Sequence, residues 1–327
     1  PAPRHHDRPL SAPQPPVATW AHHPPATAWC PEGWHALLAT LLPPEATLPD
    51  DPAALTEGEA ADVPLSGEGR LLLASRRGRL HAHRGDHRED AVAWRTSASG
   101  WCVAVADGAG SAVHSRVGAH VAAHVVVHEA LRHLTQGLAL PAVLAAAADA
   151  TQAALDTLVA QAPCAPRDLR TTLLVAVGTG PRVALMQVGD GAIVCGGPTQ
   201  PFRQPIAAHS GAFSGEVSHF LPDAGAVQAL HASITALSPE EAHTVLLATD
   251  GVEDPWYPLA RHAPSLLAAL AGEEAAVPDG LQLSGTAAGV LASDRAGEAL
   301  LHWLAFEKRG ENDDRTLAVV RCPGAAG

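Results

Sequence analysis

From about Arg70 onward the apolar and β-branched residues fall into short runs, and several of these runs stop at an acid. Residues 101–106 lead into Asp107, 183–188 into Gly189 and Asp190, and 244–248 into Thr249 and Asp250. Runs this short, bounded by turn residues, predict strands. Other strands are expected at 71–74, 91–95, 172–177, 192–195, 233–237 and 316–321. Longer stretches predict helices at 115–134, with Ser115 as its N-cap, and at an alanine-rich 140–159. About five residues join these two, which favours an antiparallel pair. Two more helices are expected at 263–271 and 292–307. Strands grouped before and after helices predict an α+β protein, not the strict alternation of a doubly wound parallel sheet. Residues 196–229 and 272–289 carry weak periodicity. A connection as long as the first is expected to serve function.

Proline sets a boundary that hydropathy alone does not. Fourteen of the 28 prolines lie between Pro1 and Pro64. Each fixes its own backbone and lacks a donor, so residues 1–66 are expected to form an extended, flexible arm and 67–327 the main domain. Within the arm, Trp20, Trp29 and Trp34 lead to a short helical candidate at 35–42, stopped by Pro43 and Pro44, that either docks on the domain as packing or serves as a partner-binding or autoregulatory segment.

The chain has 327 residues, 47% of them hydrophobic, enough for a sizeable core. A formal charge of −13 argues against nucleic acid, whose phosphates demand clustered Lys and Arg. The five cysteines, Cys30, Cys102, Cys164, Cys195 and Cys322, are odd in number and widely spaced, which suggests neither a disulfide framework nor a thiolate zinc site. A reducing, cytoplasmic setting is expected. The most apolar long stretch, 117–130, is interrupted by His120, His124 and His128, so no membrane span is expected, and the N-terminus does not read as a secretion signal.

The acids at strand ends carry the chemistry. Glu89 and Asp90 precede one strand and Asp313 and Asp314 another, while Asp107, Asp190 and Asp250 follow theirs. Carboxylates gathered at one rim repel unless protons or cations neutralise them. Carboxylate and carbonyl oxygens suit Mg²⁺ or Mn²⁺ over Zn²⁺, and a pair of such ions sharing an Asp makes hydroxide available for phosphate-ester hydrolysis.

In chain order, Glu89-Asp90, Val103-Ala104-Val105-Ala106-Asp107-Gly108, Thr171-Thr172-Leu173, Val188-Gly189-Asp190-Gly191, Leu246-Leu247-Ala248-Thr249-Asp250-Gly251-Val252 and Asp313-Asp314-Arg315-Thr316 resemble the motifs of the metal-dependent type 2C Ser/Thr protein phosphatases, the PPM family. Residues 107–119 are similar to a bacterial branch. The resemblance spans about residues 78–321 and implies two packed antiparallel β-sheets flanked by antiparallel helix pairs, an α-β-β-α sandwich. It implies that Asp107 bridges two Mn²⁺ or Mg²⁺ ions, that the Gly108 carbonyl binds one, and that Asp250 and Asp313 complete the other. Glu89 and Asp90 would hold metal-bound waters, and Asp190 would help bind a third ion found in many members. A hydroxide between the metals would attack phosphoserine or phosphothreonine on a protein without a phosphoenzyme. The implied partners are a phosphorylated protein and a cognate Ser/Thr kinase, and the implied state is a monomer. The alternative is a catalytically dead member serving as a binding or scaffold module.

Three departures stand out. The arginine that commonly binds substrate phosphate, five residues before the first-motif Asp, is Gly85 here, and Arg84 and Arg88, which flank it, are either substitutes for it or solvated surface charges. Ala109 stands where some members place a histidine acid. Asp314 replaces the usual Asn and adds negative charge. His81, His83 and the stripe of His120, His124 and His128 are expected to be structural, and Ser111 and Ser115 beside His114 lack the third group of a nucleophile triad.

Overall fold

The computed structural model describes residues 23–46, 57–207, 219–284 and 289–322. Its eleven described strands form two sheets in which every neighbouring pair is antiparallel. The first contains β1 (Gly58–Pro64), β2 (Arg70–Arg76), β7 (Ala192–Gly197), β8 (Gln200–Arg203), β10 (Thr244–Ala248) and β11 (Arg315–Arg321), in the order β1-β2-β11-β10-β7-β8. The second runs β3-β4-β5-β6-β9, from β3 (Ala91–Ser97), β4 (Gly100–Ala106), β5 (Leu173–Thr179), β6 (Arg182–Val188) and β9 (Thr235–Leu237).

Side chains alternate across each strand, so the two faces of each sheet feed different apolar layers. Val103 and Val105 of β4 face Leu71, Leu73, Val245 and Leu247 of the other sheet. Cys102 and Ala104 point the opposite way, into a layer closed by α3 (Ser115–Thr135) and α4 (Leu140–Gln161). On the far side of the first sheet, Leu72, Leu246 and Val319 pack against α7 (Leu259–Ala271), α8 (Ala296–Trp303) and Trp256. This is the expected sandwich of helices, sheet, sheet and helices.

The N-terminal boundary differs from expectation. β1 pairs with β2 at seven positions, from Gly58 with Arg76 to Pro64 with Arg70, so the sheet begins inside the span assigned to the arm. Its apolar content is low because it is a partly exposed edge strand, and Pro64 sits at its end, where a missing donor is tolerated. Farther upstream, α1 (Trp34–Leu41) buries Trp34 and Leu38, and Trp29, Cys30, Leu42 and Ala46 join the layer under α3 and α4. A boundary near Ser66 would therefore cut through packed structure. Residues 1–22 and 47–56, on which the expectation of a flexible arm also rests, lie outside the described residues.

Smaller differences have local causes. α3 starts at Ser115 itself, with His114 before it. The helix expected over 292–307 shortens to α8, and the supposed loop 196–229 contains β8 and the start of α5 (Ala226–Ser233). Its centre, 208–218, lies outside the described residues. Contrary to the hydropathy reading, α4 is long and apolar enough to cross a membrane by length and composition. Its stripe of Leu140, Val143, Leu144, Ala147, Ala148, Leu155 and Leu158 is instead buried within the domain.

Candidate active site

Antiparallel register brings the acids together. The end of one strand lies beside the start of its neighbour, so Ala248 is level with Ala192 and Leu317, and Ala106 with Ala91. Asp107, the 189–191 turn, Asp250, Asp313 and the Glu89-Asp90 step consequently share one rim of the sandwich. Asp90 ties the sheets together there: its Oδ2 accepts hydrogen bonds from Thr249 Oγ1 at 2.9 Å and Thr316 Oγ1 at 2.6 Å.

The glycines beside these acids serve close approach. A Cβ on Gly108 would stand 2.8 Å from the Glu89 carbonyl oxygen and from Ser115 Cβ, and one on Gly251 would run into the Asp314 carbonyl. Neither glycine has positive φ, so close approach and not a left-handed backbone accounts for them. Gly189 and Gly191 do, at 91° and 77°, and they fold the loop carrying Asp190 against Thr172 and Ala248. The paired threonines hold the central acid: Thr172 Oγ1 accepts from the Asp107 backbone N–H at 2.9 Å, and Thr171 Oγ1 donates to the Asp107 carbonyl at 2.9 Å. Thr171 also exchanges backbone bonds with Leu221, bringing a flank of the 196–229 segment to this rim.

Electrostatics oppose ionisation of the rim carboxylates together. Burial, then repulsion from Asp250, Asp90, Asp313 and Asp190, holds Asp107 well above the usual carboxylate range. Burial and Asp314 do the same to Asp90. Burial, Asp313 and Asp190 push Asp250 up to about 7, and burial pushes Glu89 to about 7. Asp190 and Asp313 are raised by burial as well. The groups that repel Asp107 are all carboxylates, oxygen donors that fit hard divalent cations.

Two acids escaped the sequence reading. Asp254 repels Asp190, and Glu253, pushed to about 7 by burial and Asp254, adds to the same group. The available signal was their position one helical turn after Asp250, where α6 (Asp250–Glu253) begins. His81 was assigned a structural role but belongs here: its ligand-type nitrogen and the carboxylates of Asp313 and Asp314 lie within 4.8 Å of one another.

The proposed substitutes for the missing arginine are not brought together with the acids. Arg88 is 2% exposed and donates to Glu59 of β1 at 2.7 Å, and Arg84 projects from the exposed side of α2 (Arg79–Arg84). At Gly85 the backbone is left-handed, φ 73°, and a Cβ would stand 3.1 Å from the Pro24 carbonyl oxygen. The segment before α1 therefore fills the space a side chain would need. The basic groups felt by Glu89 are His81 and Arg116, the latter held by the carbonyls of Trp29 at 2.5 Å and Ala28 at 3.4 Å. Of the other histidines, His114 packs edge-on to Trp34 and His120 to Trp29, His124 lies against His120, and His128 bonds to Arg95.

A family model described as protein phosphatase 2C matches residues 77–283, more than half of the chain and most of this rim. The chain belongs to the protein phosphatase 2C family. It is accordingly a serine/threonine phosphatase by class, as its motifs led us to expect. No match was found among curated proteins. The chain is similar in fold to a serine-threonine phosphatase 2C from Toxoplasma gondii, with 14% identity, a TM-score of 0.53, and coverage of 81% of this chain and 99% of that one. The Mycobacterium tuberculosis serine/threonine phosphatase PstP/Ppp aligns at 21% identity and a TM-score of 0.49 over 78% of this chain and 98% of that one. A structure of the PstP catalytic domain in complex with two manganese ions aligns at 21% identity and 0.45 over 77% and 97%.

Proposed function

We propose that this phosphatase hydrolyses phosphoserine and phosphothreonine on proteins in a reaction that requires Mn²⁺ or Mg²⁺. The observation that carries the reading is the convergence of Asp107, Asp250, Asp313 and Asp190 at one rim, with carboxylates driven toward neutrality by burial and mutual repulsion. Asp107 would be shared by two cations, the Gly108 carbonyl would serve one, and Asp250 with Asp313 the other. Asp190 and Asp254 would hold a third. When bound, the cations supply charge neutralisation on the phosphoryl oxygens and a water acidic enough to attack near neutral pH. The chain's part is positioning. Thr171 and Thr172 fix the Asp107 backbone, and Thr249 and Thr316 aim the Asp90 carboxylate, which with Glu89 orients water. His114 packs edge-on against Trp34, and the nucleophile in this reading is water, with no phosphoenzyme.

The test is p-nitrophenyl phosphate and phosphothreonine-peptide hydrolysis after chelation, then with Mn²⁺ or Mg²⁺ restored, in wild type and Asp107→Asn. Activity restored by metal and lost in the variant is the expected result. No restored activity, with no metal binding by calorimetry, would leave a scaffold module as the better account.

A further inference from the structure

We infer that Asp314, together with His81, is the positioning residue that sets the first acidic step of the metal site, and that the departure from asparagine at this position is what the surrounding donors require. The Asp314 side chain is 2% exposed and does not lie open to solvent. Oδ1 accepts from the Gly78 backbone N–H at 2.6 Å and faces His81 Nδ1 at 2.9 Å. Oδ2 accepts from the Glu89 N–H at 2.6 Å and the Asp90 N–H at 3.3 Å. One carboxylate at the start of β11 thus gathers the entry to α2, the α2 histidine and the backbone of both first-motif acids.

The inventory of donors explains the residue type. A carboxylate offers about four acceptor positions and no donor, and here all are used. An asparagine has one acceptor oxygen and one NH₂ group. Turned either way, its NH₂ would face the Gly78 N–H or the Glu89 N–H, donor against donor, and would leave a buried backbone group unpartnered. Asp314 with three backbone donors requires His81 Nδ1 to donate as well, so the two side chains form one acceptor–donor unit. Its output is the relative placement of Glu89 and Asp90 against Asp313, which directly precedes Asp314 and whose carboxylate takes the Asp314 N–H at 2.8 Å. Asp314 touches no substrate in this account. It acts through the backbone of Glu89 and Asp90, the acids assigned to orient water.

The catalytic consequence rests on the phosphatase reading, whereas metal affinity is measured separately. Mn²⁺ binding by calorimetry and the Mn²⁺ dependence of p-nitrophenyl phosphate hydrolysis would be compared for wild type, Asp314→Asn, His81→Gln and His81→Phe, each with its melting temperature. Outer positioning groups change metal affinity by about 10–100-fold. Asp314→Asn and His81→Phe are expected to raise the Mn²⁺ dissociation constant and the half-saturating Mn²⁺ together by about 10-fold or more. His81→Gln retains an N–H donor and is expected to stay within about threefold of wild type. Should Asp314→Asn not fold, the two His81 variants decide, because that side chain sits at the rim and is 12% exposed. Wild-type metal affinity in folded Asp314→Asn, or equal shifts in His81→Gln and His81→Phe, would overturn the proposal. An inactive wild type that still binds Mn²⁺, with the same pattern of shifts, would remove the phosphatase reading and keep the positioning role.

Discussion

The layer between the two sheets and the acidic rim at their end are a few residues apart along the same strands, yet burial acts on them in opposite senses. Val105 and Leu247 lie within the inter-sheet layer, where leaving water stabilises each side chain by about 1.5–3 kcal/mol. Asp107 and Asp250, two and three residues onward, are partly withdrawn from water, and there the withdrawal, with mutual repulsion, drives carboxylates toward protonation. The layer holds the rim in place at a cost that bound cations can offset. Fold stability and metal affinity should therefore respond separately to mutation.

The largest effect that would break this separation is at Asp107. Asp107→Asn should lower hydrolysis by about 10³-fold, the scale of losing a principal electrostatic group. It should also raise the melting temperature of the metal-free protein, because it removes a repelling charge. Calorimetric scans in chelator would check the sign, and a lower melting temperature would mean that the rim is not strained. The counterpart in the layer is Leu247→Ala. It should cost about 2–5 kcal/mol in denaturant unfolding while leaving the Mn²⁺ titration of the folded fraction unchanged.

The N-terminal segment belongs with the layer. Trp34→Ala should destabilise by about 3–5 kcal/mol, and deletion of residues 1–66 should abolish the cooperative melt because it removes β1 along with Trp29, Trp34 and Leu38. A deletion variant that still melts cooperatively would restore the boundary near Ser66.

A pH series sharpens the contrast with a smaller effect. Glu89, Asp250 and Glu253 have folded pKa values of about 7, above their unfolded values, so the folded state binds more protons between those limits. Metal-free stability should fall as pH rises from about 4 to 7, and saturating Mn²⁺ should flatten the decline. Burial opposes the charge on both members of the Asp314–His81 pair, but their mutual bond prevails, lowering Asp314 and raising His81 to about 9. That contribution is complete between the usual Asp and His values, fades on the acid side as Asp314 protonates, and is lost as pH passes about 9. Melting curves with and without chelator across this range would show both trends. The smallest expected change is at Asp190, where substitution by Ala should weaken only the response to high Mn²⁺, as read by a titration of rate against metal.

The strands that end in acids were legible because β-branched runs and Asp-Gly steps are local signals. β4, β6 and β10 stand close to where hydropathy puts them, and the order of motifs was enough to indicate the family. Arg84 and Arg88 show the limit of adjacency. Flanking Gly85 in sequence says nothing about direction, and Arg88 turns away to Glu59. β1 was hidden because an edge strand of Gly, Glu, Ala and Asp has no apolar run to betray it. His81 was set aside for the same kind of reason, since a histidine on a six-residue helix has no periodic signature.

By itself, then, the sequence determined the strands, the helix pair α3–α4, the acids and the family they indicate, all of which depend on residue type and short spacing. Tertiary structure alone decided which acids share a proton or cation field, that Pro24 fills the space at Gly85, that the proline-rich segment contributes a strand and part of the core, and that Asp314 is an acceptor hub. Each of these depends on which backbone donors and carbonyls come within about 3 Å across more than 20 residues of chain, a distance at which hydrogen bonding decides and local pattern carries no information.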